Sequence, residues 1–318
     1  MKNTVDGSKK WRPMAQLHNL ADGRTCLLEP EHLVGRSALC ALRLDVGYVS
    51  AQHAILRWTG TEWELKDLGS RNGTFLDGVQ LPSGEPSAIK RGALVAFGRL
   101  DQRWELVSDE PPQAMIISLT KGEPLPLDHD LLALPSAEDP QATIFRGADG
   151  IWTLERPDEA VVRLENQSRF DVGDEQFRFS CPMLVQRTMA SEQACETSQL
   201  QLVFSVSHDE EHVHVRAEAD GVRLDMGTRT HNYVLLTLAR HRLSDAAMGV
   251  PDTSCGWVYQ DDLVQGLSGS SSQLNIDVFR IRKQFAAAGL LNASDIVERR
   301  PRTRQLRIGV AKLEIVKV

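Results

Sequence analysis

Leu33-Val34-Gly35-Arg36, Ser50-Ala51-Gln52-His53 and Ser70-Arg71-Asn72-Gly73-Thr74 follow one another between Leu33 and Gly78, separated by strand-like runs. Together they have the chemistry of an anion site. A phosphate dianion is held best by a forked guanidinium and short hydroxyl donors, offered from loops on a rigid sheet. Arg36 and Ser50 are residues of those types. Asn72 supplies an amide able to clasp an extended peptide backbone. Gly73 can turn with positive φ before Thr74-Phe75-Leu76 re-enters a strand.

Outward from these motifs, from about Ala15 to Val107, short apolar alternations are broken by turn residues. His53 to Trp58, a Gly60 turn, Trp63 to Leu68 and Gly73 to Leu76 read as strands of an all-β sandwich, a domain over residues 15–107. The ordered trio resembles the forkhead-associated (FHA) domain, a phosphothreonine-reading β-sandwich. The resemblance implies a phosphopeptide site made of Arg36, Ser50, Ser70, Arg71 and Asn72, with Gly35, His53 and Gly73 as motif support. Arg71 falls where the family makes a second phosphate or peptide contact. His53 is expected to hydrogen-bond within the loop beneath the site. Many FHA domains carry a further donor after the serine, and here that position is Ala51.

Ser108 to Gln113 reads as a linker, because its consecutive prolines refuse a sheet ladder. Residues 114–187 echo the first domain. Ala142 to Arg146, a Gly147-Ala148-Asp149-Gly150 turn and Trp152 to Glu155 parallel Ala54 to Leu65, and Phe170 to Phe179 parallels Lys90 to Gly98. The Gly-Arg, Ser-x-x-His and Asn-Gly signatures are missing, so the stretch is expected to be a degenerate FHA-like β-sandwich without a phosphate site. Met189 to Ser198 is polar and reads as a second linker.

Residues 200–318 begin as strands and turn helical. Leu202 to Val206 and His212 to Arg216 predict a hairpin, and Val222 to Asp225 a strand. His231–His241, Gln260–Leu267 and Gln273–Ala288 predict helices, and Ile296 to Ile308 a two-stranded ribbon. Asn232 to Leu236 and Ile276 to Phe285 are similar to the first helix and the recognition helix of OmpR-type winged helix-turn-helix domains. On that resemblance the fold is multidomain: two β-sandwiches and an α+β winged helix binding duplex DNA. Leu274, Val278, Ile281 and Phe285 form a core stripe that leaves Arg280 and Lys283 outward, on a helix able to enter a major groove. Arg299, Arg300, Arg302, Arg304 and Arg307 give the ribbon a density of cations suited to phosphates or a minor groove. Phe279 is an apolar residue on a face expected to be wet.

Charge supports the division. From Asn275 onward there are ten basic and four acidic residues, a net +6; the whole chain is -7, which leaves -13 for the remainder. An acidic body with a basic end is expected where one module meets a polyanion. No apolar run approaches the roughly 18 residues of a membrane span, and the polar start lacks a secretory apolar core. The five cysteines include no C-x-x-C pair, which excludes zinc fingers and fits a reducing cytoplasm. His208, His212 and His214 straddle a hairpin turn and are expected to be solvated rather than metal ligands. With no P-loop, G-x-S-x-G or kinase signature, the chain reads as no enzyme and needs no cofactor. The expected function is a phosphothreonine-dependent transcriptional regulator. Its partners would be a phosphothreonine protein, which is a serine/threonine kinase or its substrate, and duplex DNA, with a homodimer on DNA possible. The alternative is a phospho-dependent adaptor whose winged helix binds protein.

Overall fold

The computed structural model describes residues 14–182, 197–219 and 222–318. The start of the chain, most of the Met189 to Ser198 linker, the last residues of the 114–187 stretch and the Asp220-Gly221 pair lie outside the described residues. The chain divides into two compact units. Among described residues one holds 14–128, 166–169 and 177–182, and the other 129–165, 170–176 and everything from 197 on.

In the first unit, period-two burial makes two sheets. One orders Thr25–Leu27, Gln16–Asn19, Arg103–Ser108, Leu94–Phe97, Thr74–Leu76 and Val79–Gln80. The other orders Leu42–Arg43, Glu31–Gly35, Ala54–Trp58, Trp63–Asp67 and Pro86–Ile89. Leu17, Val34, Leu56, Trp63, Leu65, Phe97, Trp104 and Leu106 fill the core as one cluster drawn from both sheets, as face-to-face packing requires. The loops at one end of this sandwich carry the Gly35-Arg36, Ser50 and Ser70-to-Gly73 segments. After Ser108 the chain runs without a strand to Met115–Ser118, which pairs with Pro124–Pro126 and with Phe177 to Ser180.

One buried polar cluster makes this unit acid-sensitive. His32 is 2% exposed; its Nδ1 accepts from the Glu29 amide at 3.2 Å and its Nε2 lies 3.4 Å from Cys26 Sγ. Glu29 in turn takes both terminal nitrogens of Arg178, at 2.8 and 3.0 Å. Burial pulls the His32 pKa down to about 4 and pushes the Cys26 thiol up to about 12, so both stay neutral. Below the ordinary histidine value of 6.5 the unfolded chain binds a proton that the native one does not, so stability falls as pH drops. From His32 alone the expected loss between about pH 7 and about pH 5 is ~2 kcal/mol. Hydrogen exchange of the Glu31–Gly35 amides, corrected for intrinsic rates, measures it; a His32→Gln chain should lose correspondingly less.

In the second unit, Leu131–Ser136, Asp139–Arg146, Trp152–Glu155 and Val162–Leu164 form an antiparallel sheet in that order, called here the 131–164 sheet. The 114–187 stretch is therefore β throughout its named elements, with strands assigned to both units. From Gln201 a second sheet orders Val222–Thr228, Val213–Ala219, Gln201–Val206 and Lys312–Lys317, the last pair parallel. Helices α1 (Asn232–Ala247), α2 (Gln260–Gly266) and α3 (Ser271–Ala287) follow, and then a ribbon of Val297–Arg300 and Gln305–Ile308 with Val258–Tyr259 on its edge. Ser270 caps α3, its Oγ accepting from the Gln273 amide at 3.1 Å. Leu274, Val278, Ile281 and Phe285 are buried in one cluster with Leu235, Leu238, Leu263 and Ile308, so the predicted stripe is the inner face of α3.

Helix α1 runs on to Ala247, past the predicted end at His241. The apolar spacing fades there because the inward residue is charged: Arg242 is 4% exposed, donates to the Ile308 carbonyl at 2.6 Å and pairs with Asp252 at 2.5 Å. The following loop accordingly starts at Met248. Among the described residues no helix is long and apolar enough to cross a membrane.

Candidate functional site

Gly35 ends a strand beneath the loop of Ser50. A Cβ there would collide with the Ala51 carbonyl oxygen and lie 2.9 Å from Cys40 Sγ, so only glycine permits this approach. The two loops are zipped by Arg36 N donating to Ser50 O at 2.9 Å and Ser37 N to Ala51 O at 3.0 Å. This fixes Arg36 next to Ser50.

The third loop is tied to both. The Arg71 amide donates to Ser50 Oγ at 3.1 Å, which leaves the serine proton available to a ligand. Asn72 Nδ2 donates to the Tyr48 carbonyl at 2.8 Å. Gly73 has φ 79°, and a Cβ there would strike the Gln80 side chain, so the turn requires glycine. His53 is fully buried. Its Nδ1 accepts from the Ser50 amide at 3.1 Å and its Nε2 donates to Gly73 O at 3.1 Å; the first bond assigns the tautomer. Burial lowers the His53 pKa against the opposing pull of the Gly73 carbonyl and Asp67. It is a strut between the Ser50 and Gly73 loops.

Ser70 faces inward, its Oγ donating to Asp67 Oδ1 at 2.6 Å. Asp67 also accepts from the amides of Gly69 and Ser70 and from Thr74 Oγ1. Burial would raise its pKa, but the bonds from Ser70, Thr74 and Gly69 outweigh it and hold the carboxyl below the usual carboxylate range. Sequence reasoning missed Asp67, although the aspartate of Asp67-Leu68-Gly69-Ser70 is a turn signal that could have marked it. It also missed Gly47, Tyr48 and Val49. These line a cleft of about 200 Å3 together with Arg36, Ser50, Ala51, Arg71 and Asn72. Arg36 and Arg71 are exposed, and among the described residues neither guanidinium has a hydrogen-bond or ion-pair partner. Two unpaired forks thus converge with a free hydroxyl donor on a cleft whose framework is otherwise hydrogen-bonded.

The FHA domain profile matches residues 32–98. The FHA domain-containing protein FhaB of Mycobacterium tuberculosis is 34% identical over 105 residues, covering 30% of this chain and 68% of that protein. The chain belongs to the FHA domain-containing proteins. FhaB of Mycolicibacterium smegmatis is 41% identical over 76 residues, 22% of this chain and 49% of that protein. Among solved structures, one from a study of phosphothreonine-dependent FHA domain interactions is 26% identical, with a TM-score of 0.26 over 29% of this chain and 94% of that one. Mycobacterium tuberculosis EmbR with a low-affinity phosphopeptide is 27% identical, with a TM-score of 0.28 over 30% and 25%.

The cations expected to meet DNA sit differently from one another. Arg280, Lys283, Arg302 and Arg304 are exposed. Arg299, expected on phosphates, has a side chain only 8% exposed; it donates to Asn275 Oδ1 at 2.8 Å and pairs with Glu155 at 3.2 Å. Arg300 and Arg307 lie over Trp257, 4.3 and 4.6 Å from the ring centroid, and Arg307 also pairs with Glu298 at 2.7 Å. Arg304 pairs with Asp158 at 2.9 Å. Phe279 is 4% exposed and packs with Leu131 and Ala133, which corrects the expectation of a wet face: an aromatic side chain there is covered by the 131–164 sheet. His208 meets the Val318 carbonyl at 2.9 Å and His214 the Asp225 carboxylate at 2.8 Å.

Proposed function

We propose that residues 15–107 bind a phosphothreonine segment of a partner protein, either a serine/threonine kinase or a substrate of one. FHA domains are phosphopeptide-binding modules, and the observation that carries the reading here is the pair of unpartnered guanidiniums beside the Ser50 hydroxyl. Arg36 forks the phosphate and Ser50 donates to it. Arg71 makes a second contact, and Asn72 clasps the peptide backbone while bracing the Tyr48 loop. Ser70 acts through Asp67 by fixing that loop. Calorimetry against matched phosphorylated and unphosphorylated threonine peptides tests this, and equal affinity for both would refute it.

Ala51 gives a second test. It lines the same cleft and its side chain brings no donor, so Ala51→Ser should tighten phosphopeptide binding by about fivefold, the worth of one added hydrogen bond of ~1 kcal/mol. No gain would place the phosphate away from residue 51.

We further propose that residues 200–318 are a winged helix, with α3 as recognition helix and the Val297–Ile308 ribbon as wing, binding duplex DNA in a cytoplasmic regulator. Residues 114–187 would serve as a β spacer without a phosphate site. The order of sheet, three helices and ribbon supports the winged helix, and the +6 end against a -13 body supports a polyanion partner. Arg280 and Arg302 make no side-chain hydrogen bond or ion pair among the described residues, although Arg280 acts electrostatically on Asp277. The internal pairing of Arg299, Arg300 and Arg307 favours the second reading, an adaptor whose C-terminal region binds protein. A low-salt duplex shift assay on the full chain separates them; retention of DNA that weakens in Arg280→Ala supports the first.

A further inference from the structure

The 131–164 sheet covers one side of α3 and touches the ribbon. Glu155 lies at the centre of this contact, in the Trp152–Glu155 strand. Its carboxylate takes both terminal nitrogens of Arg282, at 2.7 and 3.2 Å, and Arg299 Nε at 3.2 Å. All three side chains are within 9% of fully buried. Arg282 also donates to the Val297 carbonyl at 2.6 Å and lies 5.4 Å from the Phe145 ring centroid. Phe279 fills the gap toward Leu131 and Ala133. At the ribbon tip Asp158 holds Arg304 Nε at 2.9 Å, with Asp261 on the other side of that guanidinium at 3.4 Å.

Glu155 of the sheet and Asp158 of its 156–161 turn thus occupy two ribbon arginines that the DNA reading assigns to phosphates, Arg299 and Arg304, and Glu155 holds Arg282 of α3 with them. Carboxylate and phosphate oxygens make the same forked hydrogen bonds to guanidinium. The contact is also costly for its size. It buries three charges, a poor source of net stability, and it leaves Arg282 Nε buried without a partner, which carries a desolvation penalty. A permanent structural interface has little physical reason to be built this way. A releasable one does.

We propose that the 131–164 sheet is an acidic clamp: Glu155 and Asp158 stand in for DNA phosphates, so duplex DNA and the sheet compete for Arg299, Arg304 and the flank of α3 that carries Phe279. This rests on the DNA reading of residues 200–318. Binding requires the sheet to lift from α3, and the cost of lifting it lowers apparent affinity in the resting chain, as for any ligand whose competent state is a minor one.

The test uses the full chain, a labelled mixed-sequence duplex at low salt and fluorescence anisotropy. Asp158→Asn frees only an exposed pair and should tighten binding by about twofold to fivefold. Glu155→Gln removes the central carboxylate and should tighten it by at least about tenfold. If that variant does not fold, Asp158→Asn and hydrogen exchange on the wild type decide: adding duplex should raise exchange in Leu131–Ser136 and Asp139–Arg146. Wild type and variants binding DNA equally, with those strands as protected in the complex as alone, would overturn the clamp and leave the DNA reading standing. No binding by wild type or by folded variants would overturn the DNA reading and the clamp with it.

Discussion

Arg36→Ala is expected to abolish phosphothreonine selectivity. The guanidinium projects from a loop fixed by two backbone bonds to the Ser50 loop and has nothing else to bind, so its loss removes charge-assisted bonds without rearranging the site. Truncating one partner of such a pair costs about 2–5 kcal/mol, which is roughly a 30-fold to several-thousand-fold loss of affinity. Arg71→Ala should cost less, about 1–3 kcal/mol for a single charged contact, because its amide still holds Ser50. Calorimetry with one phosphothreonine peptide and its unphosphorylated twin checks both. An Arg36→Ala domain that still distinguished the two peptides would assign phosphate recognition elsewhere.

The second large effect is in the other unit. Glu155→Ala leaves Arg282 and Arg299 buried without their counter-charge, and breaking a buried pair from one side costs about 3–5 kcal/mol. The loss should fall on the docking of the 131–164 sheet. The core around Leu235, Leu274, Ile281 and Phe285 keeps its own apolar contacts, so exchange should accelerate in the sheet while α1 and the inner face of α3 stay protected. Burial raises the Glu155 pKa, but Arg282 and Arg299 outweigh it and hold the carboxyl below its ordinary 4.5. A carboxylate with a depressed folded value stabilises above its unfolded pKa and is lost as pH falls through the folded one. The docking should therefore persist at pH 4.5 and fail only in stronger acid. Uniform loss of protection across α1 and α3 would show that the sheet is integral to that core.

The candidate phosphopeptide site was legible because its parts are short motifs whose residue types follow from phosphate chemistry and whose glycines answer to local sterics. Gly35, Arg36, Ser50, His53, Asn72 and Gly73 all meet around one end of the sandwich. Asp67 was legible at most as a turn signal, since it ends the Trp63–Asp67 strand and a lone aspartate has many uses. Ser70 looked like a ligand for the complementary reason: a hydroxyl in a motif does not show whether it points out or in. In residues 200–318 apolar periodicity located three helices and the ribbon, yet it stopped α1 short because Arg242 interrupts the pattern while facing inward. The Lys312–Lys317 strand pairs in parallel with Gln201–Val206, a partnership across more than a hundred residues that no local signal carries. Burial of Phe279, Arg282 and Arg299 was hidden for the same reason, because their partners Leu131 and Glu155 lie far off in sequence. An arginine count gives net charge and does not show which charges are already matched.

The most direct test of the account is a backbone amide map of the full chain titrated with a phosphothreonine peptide. The expected perturbations centre on Arg36, Ser50, Ala51, Arg71 and Asn72, and vanish when the same peptide carries unmodified threonine. Perturbations of equal size with the unmodified peptide, or ones that leave the Arg36 and Ser50 amides unmoved, would contradict it.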